Sequence, residues 1–437
     1  MNNGSAFTIE NIFNAGTTIL TNGGSMAAST VQTWIANGAA STATMIVAGG
    51  TLAVSNNVLA VGYSTNANGT LIVNSGTVIH GGGPFGPFGA PNNLFVGALG
   101  ATGTLIVNGG QVLNTQTLVL GQNPPASGTL YLNGGLVQAN SVVPDAAPAT
   151  SIAYFNGGTL QATTNSTSFL QSQSMVMSNG LVLDDAGFTL SIGAVGLLAG
   201  DTFGGGLLKM GSGSLYLDAA NSYTGTTLVT NGTLAGIGTI SGPVVVGTAG
   251  NLGAGDASAA VSTPLTINSN LTLQGTATFR ISNNGGLPLS DQINGVITAN
   301  YGGTLVISNV TSDSTALTNG ETFQLFNATS HTGNFAGIVG SPGTGLAYSF
   351  NPASGVLSVV TGVAANPTNI TFSVSGKTLT LTWPADHQGW ILQSQTNQLS
   401  VGLSTNWSDI VGSGSSTQAV FNLDPANPTV FYRLRHP

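Results

Sequence analysis

Thr104-Leu105-Ile106-Val107-Asn108-Gly109-Gly110 is the stretch on which the fold turns. Aliphatic and β-branched residues closed by Asn-Gly form the pattern of a strand running into a turn. The phrase stands earlier as Thr70-Leu71-Ile72-Val73-Asn74-Ser75-Gly76 and later as Thr129-Leu130-Tyr131-Leu132-Asn133-Gly134-Gly135. Outward from there it recurs at Asn22-Gly23-Gly24, Ala48-Gly49-Gly50 and Asn156-Gly157-Gly158, so that the six copies are separated by 26, 26, 34, 25 and 23 residues. A period near 25 with turn residues in phase is the signature of stacked repeats.

A second short run, such as Gln111-Val112-Leu113, follows the glycines. A third follows at Leu59-Ala60-Val61-Gly62, Leu94-Phe95-Val96-Gly97 and Leu118-Val119-Leu120-Gly121. Three strands and three turns per coil predict an all-β fold, a triangular parallel β-solenoid (β-helix) in which each coil adds about 4.8 Å. One coil cannot bury its inward side chains alone, so stability must come from stacking. Each inward Leu or Val then contributes roughly 1.5–3 kcal/mol relative to exposure.

Two columns follow from the period. Asn22, Asn74, Asn108, Asn133 and Asn156 form a structural turn ladder, because Asn tolerates left-handed turns and stacked amides bond from coil to coil. By alternation Thr18, Thr44, Thr70, Thr104 and Thr129 share a side with Leu20, Ile46, Ile72, Ile106, Tyr131 and Tyr154. One of the two alternating rows faces outward. Either leaves an apolar stripe six coils long, the pattern of a contact surface unless another part of the chain covers it. The 34-residue step carries an insertion rich in Gly and Pro, with Phe85 and Phe88 as candidate contacts to a glycan or partner.

Composition narrows the function. Of 437 residues, 41% are apolar, enough for a core, and 4% are charged, against roughly 25% in an average soluble protein. Net charge is −8, and only Lys209 and Arg280 among the cations precede position 377. No basic patch exists for nucleic acid or anionic lipid. Cys is absent, which excludes disulfides and thiolate metal sites. No apolar run reaches the length of a membrane helix. Met1-Asn2-Asn3-Gly4 is not an export signal, yet the composition is that of an exported bacterial surface protein, so a signal is expected upstream.

The text changes near Lys209. Gly211-Ser212-Gly213-Ser214-Leu215-Tyr216-Leu217 is followed by Asn221-Ser222-Tyr223-Thr224-Gly225-Thr226-Thr227 and by Asn231-Gly232-Thr233-Leu234. These residues resemble the autotransporter-associated β-strand repeat of passenger-type proteins, G-x-G-S-L-x-L, N-x-Y-x-G-x-T and G-T-L in order. The matching positions are Gly211, Gly213, Leu215, Leu217, Asn221, Tyr223, Gly225, Gly232 and Leu234. The resemblance implies an exported, non-enzymatic passenger segment that lengthens a β-helix. The family's translocating barrel has no counterpart in this chain. Tyr223 is expected to cap the core where the chain turns.

The domain reading is therefore a solenoid with coils of about 25 residues over 1–205, the repeat and terminal solenoid over 206–361, and a linker over 362–368. An antiparallel β-sandwich follows over 369–437, from strand-like runs at 370–375, 378–383, 390–394, 407–411, 419–423 and 430–435. Leu379, Leu381, Trp383, Tyr432 and Leu434 alternate inward there. The ending Phe431-Tyr432-Arg433-Leu434-Arg435 resembles the last strand of fibronectin/immunoglobulin-like modules in secreted proteins of Verrucomicrobia-like bacteria. Trp390 and Trp407 are candidate glycan contacts, with core packing as the plainer reading. Lys377, Arg433 and Arg435 give this end a cationic character suited to an acidic surface.

Catalysis finds little footing. A hydrolase needs paired carboxylates and a lyase a basic group, often with acidic ligands for Ca²⁺. Asp184-Asp185 is the sole acidic doublet, its members point to opposite faces of a strand, and only Asp201 and Asp218 could approach from neighbouring coils. His80, His331, His387 and His436 lack ligand spacing. No catalytic residue, metal or cofactor is assigned. The expectation is a non-enzymatic, extracellular or cell-surface rod with a structural or adhesive role, partnered by itself (laterally or end to end) or by a surface polysaccharide or a host or neighbouring cell surface. The alternatives are a glycan-binding protein, a polysaccharide lyase or glycoside hydrolase of β-helix type, and a binder of ice or crystal surfaces through the Thr row.

Overall fold

The computed structural model describes residues 11–28, 32–55, 57–81, 93–145, 150–256, 260–364, 366–424 and 429–436. Phe85 and Phe88 lie outside them. Among the described residues, helix is confined to three 3-10 turns, Asn284–Gly286, Ala385–His387 and Ser413–Ser415. The rest of the regular structure is β.

The winding shows in the register. Thr42 pairs with Asn68, Asn68 with Thr102, Thr102 with Ser127 and Ser127 with Thr150, all in parallel. Each coil contributes one strand to each of three faces. The first face runs through Ala15–Thr21, Thr102–Val107, Ser127–Leu132, Thr150–Phe155, Gln173–Val176 and Leu197–Ala199. The second runs through Ser25–Ala28, Gln111–Asn114, Leu136–Ala139, Thr159–Ala162, Leu181–Asp184 and Leu207–Met210. Thr42–Ser55 and Asn68–Gly81 bend through the corner and serve both. The third face opens as a six-stranded parallel sheet from Asn11–Phe13 to Val142–Val143. Isolated bridges from Val142 to Leu170 and from Ser166 to Leu190 hand it on to Thr189–Ile192.

Alternation places the core. Met45, Leu71, Leu105 and Leu130 stack inward beside Val47, Val73, Val107 and Leu132, all fully buried. One continuous apolar cluster follows the lumen from Leu20 to Val359. A second cluster lies on the outer side of the six-stranded sheet, where Trp34, Ala60, Phe95 and Val119 occupy one register column and are buried as well. That sheet is apolar on both sides, which accounts for its unbroken apolar runs.

Two features depart from the sequence reading. In the first coil Ile19, not Leu20, aligns with Ile46, while Leu20 aligns with Val47 inside the lumen. The outward Thr there is Thr17, paired with Thr44, and Thr18 pairs with inward Met45. The physical reason is a longer corner: the chain takes five steps from Leu20 to Ser25 where the next coil takes four from Val47 to Thr51, with the register irregular at Thr21. The chain also does not wind to residue 361. Thr322–Gln324, Val356–Thr361 and Leu346–Asn351 form an antiparallel sheet. Beside it Tyr301, Phe326, Phe335 and Phe350 pack ring to ring with centroids 5.0–6.1 Å apart.

The C-terminal segment holds two small antiparallel sheets. Thr371–Ser375, Thr378–Thr382 and Gln418–Asn422 form one, and Ser408–Asp409, Ile391–Asn397 and Thr429–Arg435 the other. Leu381, Trp383 and Leu392 are buried among Leu379, Phe421, Tyr432 and Leu434.

Candidate interaction face and the repeat lock

On the first face the row that looks outward is the one containing Thr17, Thr44, Thr70, Thr104 and Thr129 together with Ile19, Ile46, Ile72, Ile106, Tyr131 and Tyr154. Thr17, Ile19 and Tyr131 are exposed and the others half-buried. Tyr131 and Tyr154 stack with centroids 4.9 Å apart and planes 7° apart. The apolar column continues through Met175 and Leu198 on shorter strands. An apolar groove lies on the second face, lined by Val182, Leu208, Leu228 and Val245 together with Ser178 and Asn179.

The Asn ladder borders the first face. Asn133 Nδ2 donates to Asn108 Oδ1 and Asn108 Nδ2 to Asn74 Oδ1, each at 2.9 Å. The amide chain spans only these three coils. Asn156 Oδ1 instead accepts the backbone N–H of Asn179, and the side chain of Asn22 lies against Gly49, where the longer corner displaces it. Asn74, Asn108 and Asn133 are tied to one another by their own amides, and Asn22 and Asn156 stand outside that chain.

The repeat builds a different object. Leu215, Leu217 and Leu234 point into the lumen, fully buried. Tyr223 does not cap the turn; it lies wholly inside, its hydroxyl 2.6 Å from that of Thr227, and burial pushes its phenol up. Asn221 is buried and fastens three coils: it accepts the N–H of Leu197 and donates to the carbonyls of Ala219 and Thr239. Gly225 and Gly232 stand where a neighbouring backbone passes closely. Gly211 has φ +82°, and a Cβ on Gly213 would come within 2.0 Å of the Phe188 carbonyl.

Gly211, Gly213 and Gly232 fold around Lys209. Its side chain points inward, in register with Leu183 and Val229, and is completely buried. The ammonium lies 2.5 Å from Asp185 Oδ2 and donates to the carbonyls of Gly211, Gly213 and Asn231 at 2.8–3.0 Å. Asp185 belongs to the preceding coil and Asn231 to the following one, so one side chain ties three coils. Asp185 Oδ1 also accepts the N–H groups of Gly187 and Gly213. Burial lowers the Lys209 pKa, with the Asp185 contact pulling the other way.

The remaining acids are engaged separately. Asp184 accepts from Gln161 and from Ala186 N–H, Asp201 from the N–H groups of Ser178 and Phe203, and Asp218 from Ser191 and Ile237. Among the described residues no three His, Asp or Glu side chains gather where they could hold a metal ion. His80 is buried between Asn114 Oδ1 at 2.7 Å and the Asn57 carbonyl at 3.0 Å, and burial lowers its pKa.

In the sandwich, Trp390 is not a sugar platform. It is buried, its Nε1 donates to the Ala364 carbonyl at 2.8 Å, and the rings of His387 and His436 pack against it. It fastens the segment read as a linker. His387 does the same through the Asn366 carbonyl. Trp407 stays half-buried, with the Arg433 guanidinium 4.3 Å from its ring centroid.

Residues 207–235 match the family model of the passenger-associated-transport-repeat. That segment is the Lys209 turn and the strands on either side of it. The match supports an autotransporter passenger repeat within an all-β solenoid. No curated protein and no solved structure matches the chain. No helix among the described residues is long and apolar enough to cross a membrane.

Sequence reasoning missed the Lys209–Asp185 lock and the outer cluster around Trp34 and Phe95. The first had a signal: a lone Lys at an inward position, two residues before G-x-G. The second had one too, in continuous rather than alternating apolar runs such as Leu94-Phe95-Val96.

Proposed function

We propose that the chain is a passenger-type rod of an exported protein, displayed outside the cell or on its surface, and that its role is structural or adhesive rather than catalytic. The observation that carries this reading is the position of the passenger repeat. Residues 207–235 are not an appendage: they pair in parallel with the coil before, through Leu181–Asp184, and with the coil after, through Val244–Gly253. The repeat lengthens the rod. The non-catalytic part of the reading is supported by Asp184, Asp185, Asp201 and Asp218, each occupied by its own hydrogen bonds within one or two coils. Origin in Verrucomicrobia-like bacteria rests on the resemblance of the last strand.

The test is protease treatment of intact source cells, with a cytoplasmic protein as the internal standard. The chain should be degraded while the standard survives, or be recovered from the culture fluid. Full protection in intact cells, released only on lysis, would refute display.

A further inference from the structure

We propose that the first face is the interface between two copies of this chain, packed face to face in opposite directions. The proposal stands on the sheet geometry and does not depend on export.

Four observations meet on this face. Its columns are straight: register is kept without a shift from residues 68–73 through 102–107 and 127–132 to 150–155. One outward column is apolar and the columns beside it are polar, with Thr17, Thr44, Thr70, Thr104 and Thr129 next to it. Ile19, Ile46, Ile72, Ile106, Tyr131 and Tyr154 lie between the column Thr42, Asn68, Thr102, Ser127 and Thr150 and the amides of Asn74, Asn108 and Asn133. An apolar centre within a polar rim is the anatomy of a protein interface. Between Glu10 and Asp145 the sequence contains no Asp, Glu, Lys or Arg, so two such faces meet without repulsion and without stranding a charge.

The size also fits. Six rungs at about 4.8 Å by six residues at about 3.3 Å give a face on the order of 600 Å² before its relief is counted. Two copies would then bury roughly 1,200–1,600 Å², within the range of stable specific interfaces. The direction follows from the taper, since Ile occupies the first four rungs and Tyr the last two. A two-fold axis lying between the two sheets, parallel to the strands and passing between the Ile72 and Ile106 rungs, sets the Tyr131 and Tyr154 pair of one copy on Ile46 and Ile19 of the other. An axis along the rod would instead set Tyr on Tyr and leave a gap over the Ile rungs. Isologous closure of this kind stops at two copies.

The test uses the whole chain in sedimentation velocity from about 1 to about 100 µM, a range that brackets micromolar association. The native chain should shift from monomer to dimer. Ile106→Lys and Thr104→Lys should each weaken association at least tenfold, whereas Leu228→Lys, on the second face, should leave it unchanged. Circular dichroism shows which variants keep the fold, and the milder Ile106→Ser should weaken association partially. The chain has no Cys, so orientation can be read by cross-linking. A mixture of Ile72→Cys and Ile106→Cys chains should form the disulfide dimer, and Ile46→Cys alone should not. A chain monomeric throughout the range, or association insensitive to Ile106→Lys, overturns the proposal. Equal loss in Leu228→Lys overturns it as well. So does a monomer that binds insoluble neutral polysaccharide or ice through Ile106, since the face then serves another occupant. Efficient self-linking of Ile46→Cys refutes the antiparallel arrangement.

Discussion

Lys209 reaches its carbonyl cage only because three glycines let the backbone close around it, and Asp185 reaches it only because the coil before is in register. Removing one partner of a buried pair strands the other, typically at a cost of about 3–5 kcal/mol. Lys209→Met should therefore lower the urea midpoint sharply. Lys209→Met with Asp185→Asn should recover most of the loss, because an Asn Oδ1 still accepts the N–H groups of Gly187 and Gly213. If the double variant is no more stable than the single one, the charge of Asp185 is not what costs. Two histidines give opposite responses to acid. Burial holds His80 below the ordinary value of about 6.5, so the folded chain binds fewer protons than the unfolded one. Its contribution is complete above that value and is lost as pH falls through the folded pKa. At His387 the Asn366 carbonyl, then Asp386, raise the pKa. Its contribution is full below about 6.5 and is lost as pH rises through the folded pKa. Urea midpoints between pH 5 and 8, compared with His80→Gln and His387→Gln, should show each variant removing its own limb of the pH profile.

A strand in this rod is defined by what lies above and below it. Asn108 is the middle amide of the ladder, bonded on both sides. Asn108→Ala should lose on the order of 1 kcal/mol, since each net hydrogen bond contributes about 0.5–1.5 kcal/mol and these are solvent-exposed. Thermal unfolding of that variant beside Asn156→Ala, whose side chain makes no amide–amide bond, measures the difference. The strands were legible in the sequence because period two coincides with a glycine-containing turn in each coil from Thr42 to Gly158, an Asn-Gly turn from Asn108 on. The first coil was misread by one residue, since a corner one residue longer than the next leaves no mark in a run of Thr, Asn and Gly. The antiparallel strands after Thr322 were misread because antiparallel and parallel strands share the same alternation. Trp390 was misplaced for a related reason. Aromatic residues suit a core, a junction and a sugar platform alike, and only the Ala364 carbonyl distinguishes them.

At the scale of the whole chain, the long parallel register carries the winding and the repeat along one lumen, and the antiparallel C-terminal sheets have a core of their own. The interface on the first face was half legible. The sequence showed that an apolar stripe exists, and the structure decides which row looks out. Its chemistry sets how a solution would govern it. Across the first six rungs His80 is the sole side chain able to change its charge near neutral pH, and it is buried on the adjacent face. Diluting sodium chloride should therefore neither loosen nor tighten the pair, because there is nothing for counter-ions to shield. Sulfate should tighten it and chilling should loosen it, the behaviour of oil-like contact in water. Two rods of this kind would respond to the kind of salt and to the temperature around them, and would ignore its ionic strength.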